Sequence, residues 1–245
     1  MKECSKALAR RLADSRFLRR YFRGAGLDVG GGHDPLALYA EFFPLVTSIQ
    51  TWDRGDGDAQ HLPGVADESY DFVHSSHCLE HLLDPFQGLA SWFRVLKQGG
   101  YLVVTVPDED LYEQGKFPST FNADHKHTFS ICKTKSWSPR SINVTALLAR
   151  LGDRAAVERI ELLDDTYRLS LPRYDQTATP VAECGIEFVV RKRAHGETGE
   201  SWRRMPAQQP RRDVRMILNQ YRSDHDQLKL NNGNMPPYTD EGEIK

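Results

Sequence analysis

Disulfide chemistry has little to work with in this 245-residue chain: four cysteines, at positions 4, 78, 132 and 184, are scattered with no C-x-x-C pair among them. That scatter excludes a cross-linked secreted scaffold and a cysteine-rich zinc module, and it fits a reducing, cytoplasmic compartment. Long apolar runs are also missing. No stretch approaches the roughly 18 residues of a membrane span, and the amino-terminal region lacks the apolar core of a secretory leader, so neither secretion nor membrane insertion is expected. Charge of one sign is missing as well. Lys and Arg number 32 against 34 Asp and Glu, a formal charge of −2, so no global basic field recruits nucleic acid. What remains is ordinary for a globular protein with a real core, 39% hydrophobic and 27% charged, in one large domain or two small ones.

Residues 1–24 are Arg-rich, with apolar positions at Leu8, Leu12, Phe17, Leu18, Tyr21 and Phe22. This pattern predicts an amphipathic helix packed on the domain, its arginines solvated. Residues 196–245 hold few large aliphatics and many Arg, Gln, Asn and Pro, which predicts a polar, flexible tail with a short helix over 214–221. Between these ends, residues 25–29, 46–52, 70–74, 101–106, 157–163 and 186–191 read as strands. Residues 35–43, 79–96 and 142–151 read as helices, the second stopped by Gly99 and Gly100. The alternation predicts an α/β fold: a doubly wound, mostly parallel, Rossmann-like sheet with helices on both faces. There is no internal repeat and no signal for an oligomeric state.

In such sheets ligands sit at the carboxyl ends of the strands. The first such loop is Asp28-Val29-Gly30-Gly31-Gly32, whose glycines allow close backbone approach while Asp28 can accept a hydrogen bond. Asp53 closes the next strand, where a carboxylate can take the hydroxyls of a ribose. Asp58 and Ala59 follow. Then comes SSHCLEHL, residues 75–82; if Leu79 opens a helix, His77, Glu80 and His81 stand at i, i+3 and i+4 on one face. Three ligand-like loops in register favour a nucleoside. A dinucleotide domain is excluded, because the third glycine of G-x-G-x-x-G would fall at Pro35.

LDVGGGHDP at 27–35, WD at 52–53, GDAQHLP at 57–63, ESYDFVHSSHCLEHLLDP at 68–85 and FRVLKQGGYLVVTVPD at 93–108 form an ordered set across residues 25–195. In this the chain resembles the class I S-adenosylmethionine-dependent methyltransferases of the type 11-like group. The resemblance implies a terminal antiparallel strand, here 186–191, and S-adenosyl-L-methionine as cofactor. It implies that Asp28, Gly30, Gly31 and Gly32 line the methionine part, Asp53 the ribose, Asp58 and Ala59 the adenine edge, and that Ser75, Ser76 and His77 lie near the methyl donor. The chain departs from the family in having Asp34 at a frequent glycine position and Gln98 at a frequent proline. Only residues 54–57 separate Asp53 from Asp58, where the family usually inserts a helix and a strand. A strand is thus expected to be lost or shortened, and Asp56 becomes a second candidate for the ribose.

Methyl transfer to a hydroxyl needs a positioned acceptor and a base, or a divalent metal that lowers the pKa of the oxygen. His81, His77 and His125 are the candidates for the base. Glu80, His81 and His125 are also similar to the metal set of small-RNA 3′-terminal 2′-O-methyltransferases, Glu-x-x-Glu-His followed by a histidine in an Asp-His-Lys context. Here the first glutamate is replaced by His77, a set that suits zinc, iron, manganese or nickel better than magnesium. The insert at 108–140, with Tyr112, Phe117, Phe121, Phe129 and Trp137, is a lid or acceptor wall in one reading and a core anchor in the other. Lys133, Lys135 and Arg140 can meet an acidic group on the acceptor. The sequence therefore favours methylation of a hydroxyl, before an amine, on a small molecule or glycan rather than nucleic acid. The alternatives are a metal-dependent RNA 2′-O-methyltransferase and a non-catalytic interaction module on the same fold.

Overall fold

The apolar runs line up as one six-stranded sheet in a computed structural model that describes residues 2–197. The expected helix at 214–221 and nearly all of the expected tail lie outside the described residues. In chain order the strands are β1 (Gly24–Val29), β2 (Val46–Trp52), β3 (Tyr70–Ser76), β4 (Leu96–Pro107), β5 (Thr128–Ser130), β6 (Ser141–Asn143), β7 (Ala155–Leu163) and β8 (Gly185–Lys192). The main sheet runs β2-β1-β3-β4-β8-β7, and β5 pairs with β6 apart from it. Strands β1 to β4 are parallel, whereas β8 is antiparallel to both β4 and β7, so the last strand has the direction expected of residues 186–191.

Alternation along each strand sorts the core into two layers. On one face Leu27, Val73, Leu102, Val104 and Phe188 pack against Leu89, Trp92 and Phe93 of α2 (Pro85–Arg94) and Leu147 and Leu148 of α3 (Val144–Ala149). On the other, Phe72, Tyr101, Val103 and Val189 meet Phe17, Tyr21, Phe22, Leu36 and Phe43 from the wide helical turn Phe17–Tyr21 and the 3-10 run Leu36–Phe42 and its end. The connection 53–69 contains neither helix nor strand, leaving β2 at the edge of the main sheet. The short spacer between Asp53 and Asp58 has this consequence.

The helix expected over 79–96 is three different things. Leu79–His81 is one 3-10 turn, Leu82 is extended, and α2 starts only at Pro85. Proline drives the residue before it out of the helical region, and the Asp84 carboxylate accepts from the amides of Phe86 and Gln87, capping the new helix. Lys97, Gln98, Gly99 and Gly100 do not stop a helix; they are the irregular start of β4. His77 consequently precedes the turn, in the left-handed region at φ 54°, and shares no helical face with Glu80 and His81.

The amino-terminal segment forms α1 (Glu3–Ala13), and two of its arginines are not solvated as the sequence suggested. Arg11 is 1% exposed and donates from Nε and Nη2 to Glu187 on β8, while Arg10 bridges Glu187 and Glu183. Burial alone would raise the Glu187 carboxyl, but the charges of Arg11 and Arg10 outweigh it and hold the group at about 2.

Candidate active site

At the carboxyl ends of β1, β2 and β3 two cavities adjoin. The larger, about 600 Å³, is lined by Trp52, Asp53, Asp58, Ala59, Leu82 and His81, among others, and the smaller, about 210 Å³, by Glu3, Asp28, Asp34, Gly31, Gly32 and Ser76, among others. Gly30 and His77 line both. An elongated ligand with a nucleoside at one end and a charged amino acid at the other matches this division.

Gly30 is dictated by both conformation and space. Its φ is +77°, and a Cβ there would sit 2.6 Å from Cys78 Cβ. A side chain at Gly32, also at positive φ, would meet nothing closer than 3.9 Å; it would project into the space a ligand needs. Asp28 lines the smaller cavity but both of its oxygens are engaged: Oδ1 lies 2.6 Å from His74 Nδ1, and Oδ2 accepts from the Leu36 amide at 2.7 Å. Arg11 Nη1 stands 3.1 Å from His74 Nε2 and can only donate, so the His74 proton sits on Nδ1, facing Asp28. Burial lowers the His74 pKa, in keeping with the unprotonated Nε2 that faces Arg11.

Asp53 lines the larger cavity, one oxygen taking the Arg54 amide. Asp56 does not reach that wall; its Oδ2 caps the Asp53 amide at 2.9 Å, so the local turn uses the carboxylate. Asp58 and Ala59 line the cavity as well, and the Ala59 carbonyl is fixed by Trp92 Nε1. Ser76 reaches the smaller cavity, its Oγ 3.2 Å from His77 Nδ1. Ser75 differs from the expectation: it is fully buried, donates to the Val29 carbonyl and lines neither cavity, because alternation along β3 turns it toward the β1 backbone.

Beyond the larger cavity lies an acid–imidazole cluster. Glu80, His81 and His125 present ligand atoms that all lie within 4.8 Å of one another. His81 Nε2 is 3.8 Å and His125 Nε2 3.9 Å from Glu80 Oε1. Each imidazole is held from behind: His125 Nδ1 is 2.8 Å from Glu113 Oε1, and His81 Nδ1 donates to the Asp124 backbone carbonyl at 3.2 Å, with Asp124 Oδ2 also 3.2 Å away. These acceptors put the protons on Nδ1 and leave the Nε2 lone pairs facing Glu80. Glu80 is fully buried with neither oxygen partnered among the described residues, and burial raises its pKa. A divalent cation suits this donor set: Glu80, His81 and His125 would hold it, giving the buried carboxylate and the orphaned His125 Nε2 a partner.

His77 is not part of that cluster. Its Nε2 is buried and unpartnered, and burial, reinforced by His125, lowers its pKa to about 3. The loop that carries His125 docks by its backbone, the Lys126 and His127 amides both donating to the Glu80 carbonyl. His127 itself turns to the Leu83 carbonyl. Glu113, on the wide turn Glu109–Glu113, had no signal in the sequence, whereas Asp124 and Lys126 flank His125 directly. The aromatics of the insert are mostly anchors: Tyr112 and Phe129 are buried, and Tyr112 stacks 5.0 Å from His125. Lys133 is committed to Glu109 and Asp110 rather than to an acceptor.

Residues 46–104, spanning β2 through most of β4, match the model of a family described as a methyltransferase domain. No curated protein matches the chain. Among solved structures it is similar to a SAM dependent methyltransferase from Archaeoglobus fulgidus, with 18% identity and a TM-score of 0.49 over 78% of this chain and 95% of that one. An S-adenosylmethionine dependent methyltransferase from Mesorhizobium loti gives 16% and 0.48 over 74% and 100%, and the YcgJ protein of Bacillus subtilis 14% and 0.48 over 76% and 99%. Similarity at this level assigns neither an acceptor nor a site residue. No helix among the described residues is long and apolar enough to cross a membrane.

Proposed function

We propose that the chain is a class I S-adenosylmethionine-dependent methyltransferase, a reading supported by the methyltransferase-domain match over residues 46–104 and by the sheet order, and that it methylates a hydroxyl group of a small molecule or glycan, activated at a divalent-metal centre formed by Glu80, His81 and His125. The observation that carries this reading is the buried Glu80 carboxylate, unpartnered at both oxygens and faced by two imidazole nitrogens. Without a cation, burial disfavours the charged form of that carboxyl, and both of its oxygens lack a partner among the described residues. An isolated histidine base, the simpler alternative, needs no such acid.

The two cavities suit the cofactor. Asp53 would hold the ribose, Trp52, Ala59 and Leu82 would enclose the adenine, and the glycine turn would back the methionine. The sulfonium methyl would then lie near Gly30 and His77, the residues common to both spaces. His77, with a pKa near 3, is a weak proton acceptor and serves better as a neutral wall. His81, the one residue of the cluster that lines the larger cavity, faces the acceptor side, with Asp124 holding its ring. A divalent ion bound there would lower the pKa of an adjacent hydroxyl. As the new O–C bond forms and the C–S bond breaks, the sulfonium becomes a neutral thioether and the hydroxyl proton leaves to solvent or to a nearby base. Lys133, one of the three insert cations that could meet an acidic acceptor, is paired with Glu109 and Asp110 instead.

The test is incubation with labelled S-adenosylmethionine and fractionated acceptor pools, with and without chelator, on protein whose metal content has been measured. Turnover of a hydroxyl compound that stops with chelator and returns with a divalent ion is the expected result. Chelator-insensitive turnover, retained in Glu80→Gln, would remove the metal from the reading; label appearing in RNA alone would shift it to the nucleic-acid alternative.

A further inference from the structure

One buried acid on the cofactor groove is left unused by the chemistry above. Glu3, in the first turn of α1, is 6% exposed and lines the smaller cavity beside Asp28, Asp34 and the glycine turn. Its Oε1 accepts from Lys6 Nζ at 2.7 Å, and its Oε2 has no partner among the described residues. The neighbouring carboxylates are spent. Asp28 serves His74 and the Leu36 amide, and Asp34 takes the Ser5 amide and the Tyr39 hydroxyl.

The place of Glu3 is fixed. Arg11, eight residues on and roughly 12 Å along the same helix, is locked to the buried Glu187, and Lys6 is tied to the carbonyls of Thr177 and Ala182. Burial raises the Glu3 carboxyl to about 7, with Lys6 offsetting part of the rise, so a cation entering the cavity would favour its charged form.

We propose that Glu3 binds the α-ammonium of the cofactor's methionine, so that the amino-terminal helix completes the amino-acid end of the groove. The inference rests on the S-adenosylmethionine reading. An ammonium is the one strong donor that this end of the cofactor brings, and among the described residues Glu3 Oε2 is the carboxylate oxygen on the wall left without a partner. A charge-assisted hydrogen bond in a space shielded from water is worth about ten- to a hundredfold in affinity.

The experiment is calorimetric titration of the full chain and of Glu3→Gln with S-adenosylhomocysteine and with its analogue lacking only the α-amino group. Glu3→Gln is expected to weaken S-adenosylhomocysteine about ten- to a hundredfold and to leave the des-amino analogue unchanged. Equal loss for both ligands, or no loss for either, overturns the proposal. If Glu3→Gln does not fold, Glu3→Asp replaces it and must show a smaller loss with the same selectivity. Failure of the unaltered protein to bind S-adenosylhomocysteine at millimolar concentration sinks the cofactor reading itself, whereas binding that is indifferent to Glu3 sinks only this assignment.

Discussion

Glu80 brings a carboxyl group into a position where no donor among the described residues reaches either oxygen, and that should be visible in the metal-free protein. A carboxyl whose pKa is raised on folding binds its proton more tightly in the native state. Its penalty is therefore absent at low pH and grows as pH rises through the ordinary carboxylate range toward the raised value. Metal-free protein should lose stability over that rise, and a saturating divalent ion should flatten the profile; equal slopes with and without metal would count against the site. Glu80→Gln, whose amide can donate toward either imidazole, should raise apo stability by about 1–3 kcal/mol in denaturant melts while abolishing metal retention. At the other side of the groove, Gly30→Ala should fold poorly and lose cofactor binding, because the new methyl meets Cys78 at φ +77°. Thermal melting and ligand titration read both effects. Most of these residues were legible as candidates: the glycine turn, Asp53, Glu80 and His81 stand in loops after strands, and His125 in a string with a family resemblance. Glu113 and Glu3 were not, since what makes each notable is a long-range neighbour that no local pattern encodes.

Among the elements, α1 is the one whose sequence misleads most. Its apolar spacing signals a helix, but Arg10 and Arg11 look solvated until Glu187, on a strand 176 residues away, is brought under them. Arg11→Met should cost about 3–5 kcal/mol in urea unfolding, because Glu187 keeps its charge in a buried site with one partner fewer. Acid gives an independent readout. Glu187 is held down at about 2, so its stabilising contribution is complete above the ordinary glutamate range and is lost as pH falls from there through about 2. Arg11→Met should shrink that acid-sensitive part. The segment 79–96 teaches the opposite lesson, since the break was written in Asp84-Pro85 and was masked by apolar residues that continue on either side. Short strands with clean alternation, such as β2 and β3, came through with nearly their observed limits, because burial on one or both faces leaves little freedom of register.

For the described residues as a whole, the Glu80, His81 and His125 cluster is also a joint between the sheet and the insert: Glu80 and His81 follow β3, and His125 with its supports Glu113 and Asp124 comes from 108–140. A ligand that binds both parts stabilises their association in proportion to the logarithm of its concentration, about 2.7 kcal/mol at a hundredfold excess over Kd. A divalent ion should therefore raise the melting temperature and slow amide exchange at Lys126 and His127, whose hydrogens are held by the Glu80 carbonyl. Glu113→Gln and Asp124→Asn should weaken the metal roughly 10- to 100-fold while cofactor titrations stay unchanged; loss of cofactor binding in step with metal would refute separate sites. The six strands of the main sheet were legible because each has its own sequence signal, whereas their order, β2-β1-β3-β4-β8-β7, rests on long-range pairing that no local signal encodes; the lost strand was legible as a short spacer. The approach of residue 125 to residue 80 had only a resemblance to suggest it.

Gly30 and His77, common to both cavities, turn the groove into a gauge of length. A ligand can fill both ends only if the distance between its base and its amino acid equals the fixed separation of the two chambers. An analogue of S-adenosylhomocysteine lengthened by one methylene between sulfur and α-carbon must leave one end empty or buckle beside Gly30 and His77. The same gauge is nearly blind to a single methyl on sulfur, so spent cofactor should compete closely with fresh, and the balance between the two would throttle the reaction.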